Sequence, residues 1–497
     1  MKNLPVIIIM FISFVFTKQG RSQTDYHEQH RLQIHFSPKE HWMNDPNGLV
    51  YYHGVYHLFF QYYPDSNVWG PMHWGHATSR DLIHWQQQSI ALYPDSLGYI
   101  FSGSAVADTN NTSGFGKNAK APLVATFTHH DPNGEKAGTA NFQNQSIAYS
   151  LDDGKTWTKY KRNPVLKNPG IKDFRDPKVS WYEPEKEWIM TLATFDRISF
   201  YSSEDLKNWK KESEFGKDRG AHGGVWECPD LFPLMYKNKK IWVLLVSINP
   251  GGPHGGSATQ YFIGDFNGHE FTSSQKEIKW IDDGADDYAG VTWSNTGSRR
   301  IFLGWMSNWQ YGTKVPTEKW RSAMTIPREL SLDKINGDYY LRSFPVKELS
   351  SIYGTKTDLA NDPEKIVSFQ TPIKIELTLS ALDNFYFELK NSQNEHCLVG
   401  YDKASNAFYI DRTASGNVDF EKDFAKKILS KRISDKTNSD IILIIDNSSV
   451  ELFADKGLTT MTAIFFPTEN YNTLQLQTDA NKNITSYHST LLKSIWK

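Results

Sequence analysis

Ser79-Arg80-Asp81-Leu82-Ile83-His84-Trp85 recurs as Ser203-Glu204-Asp205-Leu206-Lys207-Asn208-Trp209. Between the two, Asp153-Gly154-Lys155-Thr156-Trp157 keeps an aspartate four residues before a tryptophan, and Asp265-Phe266-Asn267-Gly268 with Phe271 reads as a degenerate fourth copy. The aromatic ends at 85, 157, 209 and 271 lie 72, 52 and 62 residues apart. That spacing suits one four-stranded blade with generous loops, and residues 25 to 340 would hold about five such units.

The runs between the copies are strand-like. Val55-Tyr56-His57-Leu58-Phe59-Phe60, Glu187-Trp188-Ile189-Met190-Thr191-Leu192 and Ile241-Trp242-Val243-Leu244-Leu245-Val246 read as buried strands, and no long segment shows helical period. Residues 25–345 are therefore predicted to form a five-bladed β-propeller. Blades converge on a central channel, so residues on the inner strands of different blades meet despite long sequence separations.

Past Pro345 the chain changes character. A connector rich in Lys, Ser and Thr spans Val346 to Asn361. Short strands then resume at Ile373 to Leu379, Phe385 to Leu389, Ala407 to Ile410, Asp440 to Asp446, Ser449 to Phe453, Met461 to Phe466 and Thr473 to Thr478. Their spacing and turn signals predict a C-terminal β-sandwich over 362–497, with Glu421 to Lys431 as a short helix or long loop.

At the other end, Met1-Lys2-Asn3 precedes an apolar run from Leu4 to Phe16 broken only by Ser13, then a polar stretch ending at Gln23. A basic start, a short apolar core and a polar end read as a signal peptide over residues 1–23. A membrane span needs about 20 apolar residues. The site near Gln23 lacks a small-x-small pattern, which leaves an uncleaved anchor as the alternative. An exported protein, periplasmic or extracellular, is expected.

The formal net charge is −2, which removes the electrostatic case for nucleic acid. Cys228 and Cys397 fall in different expected domains, so no structural disulfide is predicted and stability rests on the cores. Aromatic residues make up 14% of the chain. Pleated surfaces and sugar-stacking faces account for that equally well.

Three acids share a local setting. Trp42-Met43-Asn44-Asp45-Pro46-Asn47-Gly48, Phe174-Arg175-Asp176-Pro177 and Trp226-Glu227-Cys228-Pro229-Asp230 each place a carboxylate one or two residues before proline. The residue before proline is extended and proline itself suits strand starts, so each acid is expected near a strand end, the first at a strand-to-turn junction.

With Phe101-Ser102-Gly103-Ser104-Ala105, these motifs resemble glycoside hydrolase family 32, the invertases, inulinases, levanases and other β-fructosidases. The resemblance covers nearly the whole mature chain. Asn249 to Gly256, Asp286-Asp287-Tyr288-Ala289, Gly304 to Trp309 and Trp320-Arg321 are similar to its levanase and exo-inulinase side, as are Asp411-Arg412-Thr413, Glu451 to Ala454 and Phe466-Pro467. Each motif alone is weak; their shared order is specific.

The resemblance implies a five-bladed propeller followed by a sandwich. It also implies Asp45 as nucleophile, Glu227 as acid/base and Asp176 as transition-state stabiliser. Retaining hydrolysis of a fructosyl bond takes one ionised and one protonated carboxyl about 5–5.5 Å apart. Glu227 is therefore expected to have a raised pKa from burial and from Asp45 and Asp176. Cys228 matches the cysteine credited with tuning that acid, or is a small buried hydrophobe. Arg175 either holds Asp176 ionised or faces away, since strand neighbours alternate. For both to enter the pocket the strand must begin or bulge there.

By the same carry-over, Asn44, Gln61, Trp69, Trp74, Phe101, Ser102, Arg175, Asp286 and Trp309 are expected to bind substrate, with core packing the alternative for Trp74 and Phe101. His73 and His76 lack a third ligand at metal spacing, so no metal or cofactor is read. His129-His130-Asp131 reads as a polar loop at the channel rim. The expected activity is release of terminal fructose from fructan or sucrose, with discrimination in the loops Thr109 to Asn118, His129 to Phe142 and Pro250 to Ser257. A sucrose-specialised invertase, an endo-levanase and a non-catalytic fructan-binding protein are the alternatives.

Overall fold

The computed structural model describes residues 25–117, 120–479 and 481–496; the expected signal peptide lies outside the described residues. The repeat proves to be one recurring turn, between the third and fourth strands of successive sheets. Asp81 Oδ1 accepts the backbone N–H groups of Ile83 at 3.0 Å and His84 at 2.9 Å, and the Ser79 hydroxyl at 3.0 Å. Asp205 does the same with Lys207 at 2.9 Å, Asn208 at 2.8 Å and Ser203 at 3.2 Å. Leu82 and Leu206 both take left-handed backbone, at φ 68° and 63°. The side chain of an Asx residue closes such a turn by replacing strand hydrogen bonds with its own.

The other two copies shift in register. In the third, Ser150 Oγ donates to Asp152 Oδ1 at 2.8 Å, so Asp152 rather than Asp153 is the equivalent acid and Asp153 is an inserted residue at φ 59°. In the fourth, Asn267 Oδ1 takes the role, accepting from His269 at 2.9 Å and Glu270 at 2.8 Å, with Gly268 at φ 103° in the left-handed position.

The described chain is nearly all β. Five sheets of four or five strands, antiparallel except for one short parallel pair, follow one another over residues 41–345. Their first strands are His41–Tyr52, Tyr99–Ala107, Phe174–Tyr182, Val225–Tyr236 and Tyr288–Thr292. Each touches the next and the last touches the first, so the five ring a common axis. Trp320–Arg321, late in the chain, pairs in parallel with His41 and Trp42 and ties the end of the ring to its beginning. This arrangement is consistent with the expected propeller.

The C-terminal part is two six-stranded sheets, consistent with a sandwich. In Ile373–Leu379 every second residue, Ile373, Ile375, Leu377 and Leu379, enters the core and meets Phe385, Phe387 and Leu389 from the other sheet. Strand period two thus produces the buried face directly. Two expectations need correction. Within the expected connector, Lys347–Ile352 is a 3-10 helix and Tyr353–Asp358 is an edge strand hydrogen-bonded to Ile484–Leu492, because its exposed polar residues still offer a free backbone to the sheet. Lys427–Lys431, expected as helix or loop, is a strand paired with Ala407–Ala414, its Ile428 and Ser430 buried and its lysines exposed.

Buried ion pairs weld the two parts together. Arg328 donates to Asp282 at 2.8 Å, Asp287 at 2.9 Å and Glu451 at 2.7 Å. Glu451 belongs to the sandwich and also bonds His35 at 3.0 Å, whose other ring nitrogen lies 2.8 Å from Asp446. Charges buried this completely require partners on every side.

Candidate active site

The first strands of all five sheets break register at one level. The shifts fall between Met43 and Pro46, Ile100 and Gly103, Arg175 and Lys178, Glu227 and Asp230, and Tyr288 and Val291. A bulge inserts an unpaired residue and re-aims its side chain. Asp176, Cys228 and Ala289 sit in these breaks at φ 64°, 44° and 53°, a region non-glycine residues seldom enter. That geometry answers the alternation problem: Arg175 and Asp176 both reach the pocket because the strand is not regular there.

The first acid motif differs from its expected form. His41–Tyr52 is one continuous strand with two register shifts rather than a strand entering a turn. Gly48, at φ 54°, is required there, since a Cβ would stand 2.6 Å from the Phe59 ring and 2.8 Å from the Trp74 ring.

Asp45, Asp176 and Glu227 meet in a cavity of about 260 Å³. Asp45 accepts hydrogen bonds from Asn44 Nδ2 at 2.9 Å and Ser102 Oγ at 2.7 Å. Cys228 Sγ lies 3.4 Å from Asp45 Oδ2 and 3.7 Å from Asp176 Oδ2, and the Cys228 N–H donates to Asp176 at 3.1 Å. One residue thus touches two of the acids. The Arg175 guanidinium donates to Glu227 Oε1 at 2.9 Å and to Asp173, and stands 3.9 Å from Asp176. Of the two alternatives for Arg175, it does not face away; it binds Glu227 most closely and also acts on Asp176 from 3.9 Å. The Tyr288 hydroxyl donates to Glu227 Oε2.

Burial raises the pKa of Glu227; Arg175 opposes the rise and the Asp45 charge adds to it. Burial likewise pushes Asp176 up to about 7, again opposed by Arg175 and reinforced by Glu227 and Asp45. Three carboxyls with one guanidinium among them favour retaining a proton, which general acid catalysis near neutral pH requires.

The model of the glycosyl hydrolases family 32 N-terminal domain matches residues 35–345, and that of the family's C-terminal domain matches 347–491. The chain belongs to glycosyl hydrolase family 32. A levanase from Bacillus subtilis (strain 168) is 44% identical over 522 residues, covering 100% of this chain and 76% of its own. An extracellular exo-inulinase from Aspergillus awamori is 41% identical over 94% of each chain. The crystal structure of exo-inulinase from Aspergillus awamori superposes with TM-score 0.87 at 37% identity, covering 95% of this chain and 100% of that one. The β-fructofuranosidase of Schwanniomyces occidentalis complexed with fructosyl-erythritol gives TM-score 0.85 at 34% identity, covering 95% and 99%.

Of the positions carried over from family 32, Asn44, Gln61, Trp69, Phe101, Ser102, Arg175 and Trp309 line this cavity. Gln61 is held by its bond to Asn47 Oδ1 at 2.7 Å, and Trp309 packs against Trp42 and Trp305 with ring centroids 5.7 and 5.0 Å away. Two family positions fall elsewhere. Trp74 is buried in the core beside Phe59 and Phe127, and reaches the site only by donating Nε1 to the Phe101 carbonyl at 3.0 Å. Asp286 is fully buried between the two parts of the chain, accepting from Tyr311 at 2.6 Å and Arg412 at 2.7 Å. Its neighbour Tyr288 is the family-motif residue that enters the site.

The expected rim loops also separate. His129 and His130 end the strand Leu123–His130 rather than forming a loop; His130 lines the cavity and stacks on Phe101 at 4.1 Å. Of the expected loop Thr109 to Asn118, residues 109–117 follow the far end of Tyr99–Ala107, with Thr109 and Asn110 lining a second cavity there, and Asn118 lies outside the described residues. Ser257, at the end of Pro250 to Ser257, accepts the Trp309 N–H at 3.1 Å and so supports the pocket wall from behind. Elsewhere His76 is buried against His57 at 3.1 Å, and His73 bonds the Pro71 carbonyl at 2.9 Å.

Gln143 and Asp173 also line the cavity without having been singled out in the sequence, and Glu135 was marked only as part of the expected loop His129 to Phe142. Asp173 sits one residue before a quoted motif, and Gln143 one residue past that loop, so each lies at the edge of a marked stretch. A larger cavity of about 720 Å³ opens at the other ends of the same strands. Its buried charges, Lys178 and Asp230, neutralise each other at 3.1 Å, whereas the smaller cavity gathers three carboxyls around one guanidinium.

Proposed function

We propose that the protein is an exported, retaining β-fructosidase that releases terminal fructose from levan or inulin and also accepts sucrose. The observation that carries this reading is the convergence of Asp45, Asp176 and Glu227 from three separate sheets on one cavity of about 260 Å³. Ligand pockets for drug-sized molecules run about 300–1,000 Å³, so this one suits a single sugar unit with its neighbour at the mouth.

In this reading Asp45 attacks the anomeric carbon, its oxygens oriented by Asn44 and Ser102. Glu227 protonates the departing oxygen and then deprotonates water, while Asp176 binds sugar hydroxyls and stabilises the oxocarbenium-like state. Trp69, Phe101 and Trp309 supply apolar faces. Asp45 and Asp176 lie within reach of one thiol, and Arg175 links Asp176 to Glu227. Double displacement, with the nucleophile and acid carboxyls about 5–5.5 Å apart, is the course that the resemblance to family 32 implies. No cofactor enters the reaction. The five sheets are the blades of a five-bladed propeller in this reading. The similar exo-inulinase is named extracellular, which supports export.

A sucrose-specialised invertase is the second reading, since Invertase 1 of Saccharomyces cerevisiae is 37% identical over 88% of this chain. Product analysis on levan, inulin and sucrose, beside Asp45→Asn, tests both. Free fructose from the outset, absent with the variant, supports the exo reading. Turnover of sucrose alone moves the assignment to an invertase, early oligosaccharides to an endo-acting enzyme, and binding without products to a binding protein.

A further inference from the structure

Glu135 lies on the short helix Pro132–Lys136, between the second and third strands of the second sheet, and its side chain reaches the wall of the catalytic cavity. Its placement is built. Asp131 caps the helix by accepting the Asn133 N–H at 3.0 Å. The buried His130 ring bonds Glu135 Oε2 through Nε2 at 3.1 Å, accepts from Gln143 at 3.3 Å through Nδ1, and stacks on Phe101 at 4.1 Å and 10°. Oε1 has no protein partner among the described residues, and Glu135 itself is half-exposed at the mouth. The positive charge of Arg175, which holds Glu227, acts on His130, so this corner adjoins the proton donor.

We propose that Glu135, oriented by His130, accepts a hydroxyl of the sugar on the leaving-group side and makes the site favour sugar over apolar leaving groups. This rests on the fructosidase reading and deepens it. A carboxylate with one oxygen fixed and one free is a preorganised acceptor, and bonds from hydroxyl to carboxylate are among the stronger neutral-to-charged contacts. An aryl leaving group has no hydroxyl to offer it. The terminal fructosyl unit, deeper among the acids, does not depend on it.

The test compares the intact chain with Glu135→Ala and Glu135→Gln on sucrose, levan and p-nitrophenyl β-D-fructofuranoside, with free fructose as a competitive inhibitor. Glu135→Ala is expected to lower kcat/KM about tenfold on sucrose and levan, the worth of one charge-assisted bond, and to change the aryl substrate less than about twofold. Glu135→Gln, which keeps a neutral acceptor, falls between, and fructose inhibition is unchanged. Equal losses on all three substrates, or no loss on any, overturn the proposal. A wild-type chain inert on every fructoside overturns the fructosidase reading itself.

Discussion

Arg412 Nη1 lies 2.7 Å from Asp286 Oδ2, and both residues are fully buried where the sandwich meets the ring of sheets. The pair also holds the Tyr311 hydroxyl and the Ile464 N–H, so it is a joint between two parts of the chain. Removing one partner strands a charge, at a cost of about 3–5 kcal/mol. Arg412→Ala and Asp286→Ala should each lower the denaturant midpoint sharply while the surviving folded enzyme keeps its KM. A variant of normal stability with weakened fructose binding would return Asp286 to the sugar site.

Trp74 and Trp69 should behave oppositely. Trp74 is fully buried and Trp69 is 40% exposed at the cavity mouth. Trp74→Ala is expected to cost about 3–5 kcal/mol of stability, the usual range for a buried large aromatic. Trp69→Ala should leave the unfolding midpoint within about 0.5 kcal/mol and raise KM instead. Thermal unfolding beside steady-state kinetics separates the two.

The Tyr288 hydroxyl lowers the pKa of Glu227 by donating to its carboxylate, after burial has raised it. Tyr288→Phe therefore lets that pKa rise further. Glu227 must be protonated to act as acid, so the basic limb of kcat/KM against pH should move to higher pH. An unmoved limb would mean that Tyr288 acts only by packing.

Glu227→Gln removes the proposed proton donor. A general acid is worth about 100- to 10,000-fold, so turnover of sucrose should fall by that much, and less for aryl fructosides with good leaving groups. Parallel rates on the two substrates would place the acid elsewhere.

Burial opposes a charge on His35, but its bonds to Asp446 and Glu451 raise its pKa to about 9. The folded value exceeds the unfolded value of about 6.5, so the stabilisation is complete below that pH and is lost as pH rises through about 9. Melting temperature should fall over this window, and His35→Asn should be less stable at pH 6 with a flatter profile. A variant tracking the wild-type slope would assign the pH dependence to other groups.

Much of the fold was legible because its signals are local. The Ser-x-Asp turn needs only a short side chain and two backbone N–H groups, so it left the same mark in successive sheets. Its copies at Asp152 and Asn267 were harder, since one inserted residue or an amide in place of a carboxylate preserves the turn but not the spelling. Lys427–Lys431 and Tyr353–Asp358 were misread because edge strands take their order from a partner's backbone, and their own exposed lysines and threonines carry no strand signal.

By itself the sequence determined the strand content, the recurring turn and the identity of three carboxylates, each marked by the residues beside it. Tertiary structure alone decided which side chains share a cavity. Asp286 and Tyr288 are two residues apart, yet a bulge sends one to the acids while Arg412, 126 positions away, draws the other into an ion pair. Glu135 enters beside Phe101 through a hairpin from the same sheet. Direction at a bulge and partners across an interface are set by packing against distant strands, and no neighbouring residue encodes them.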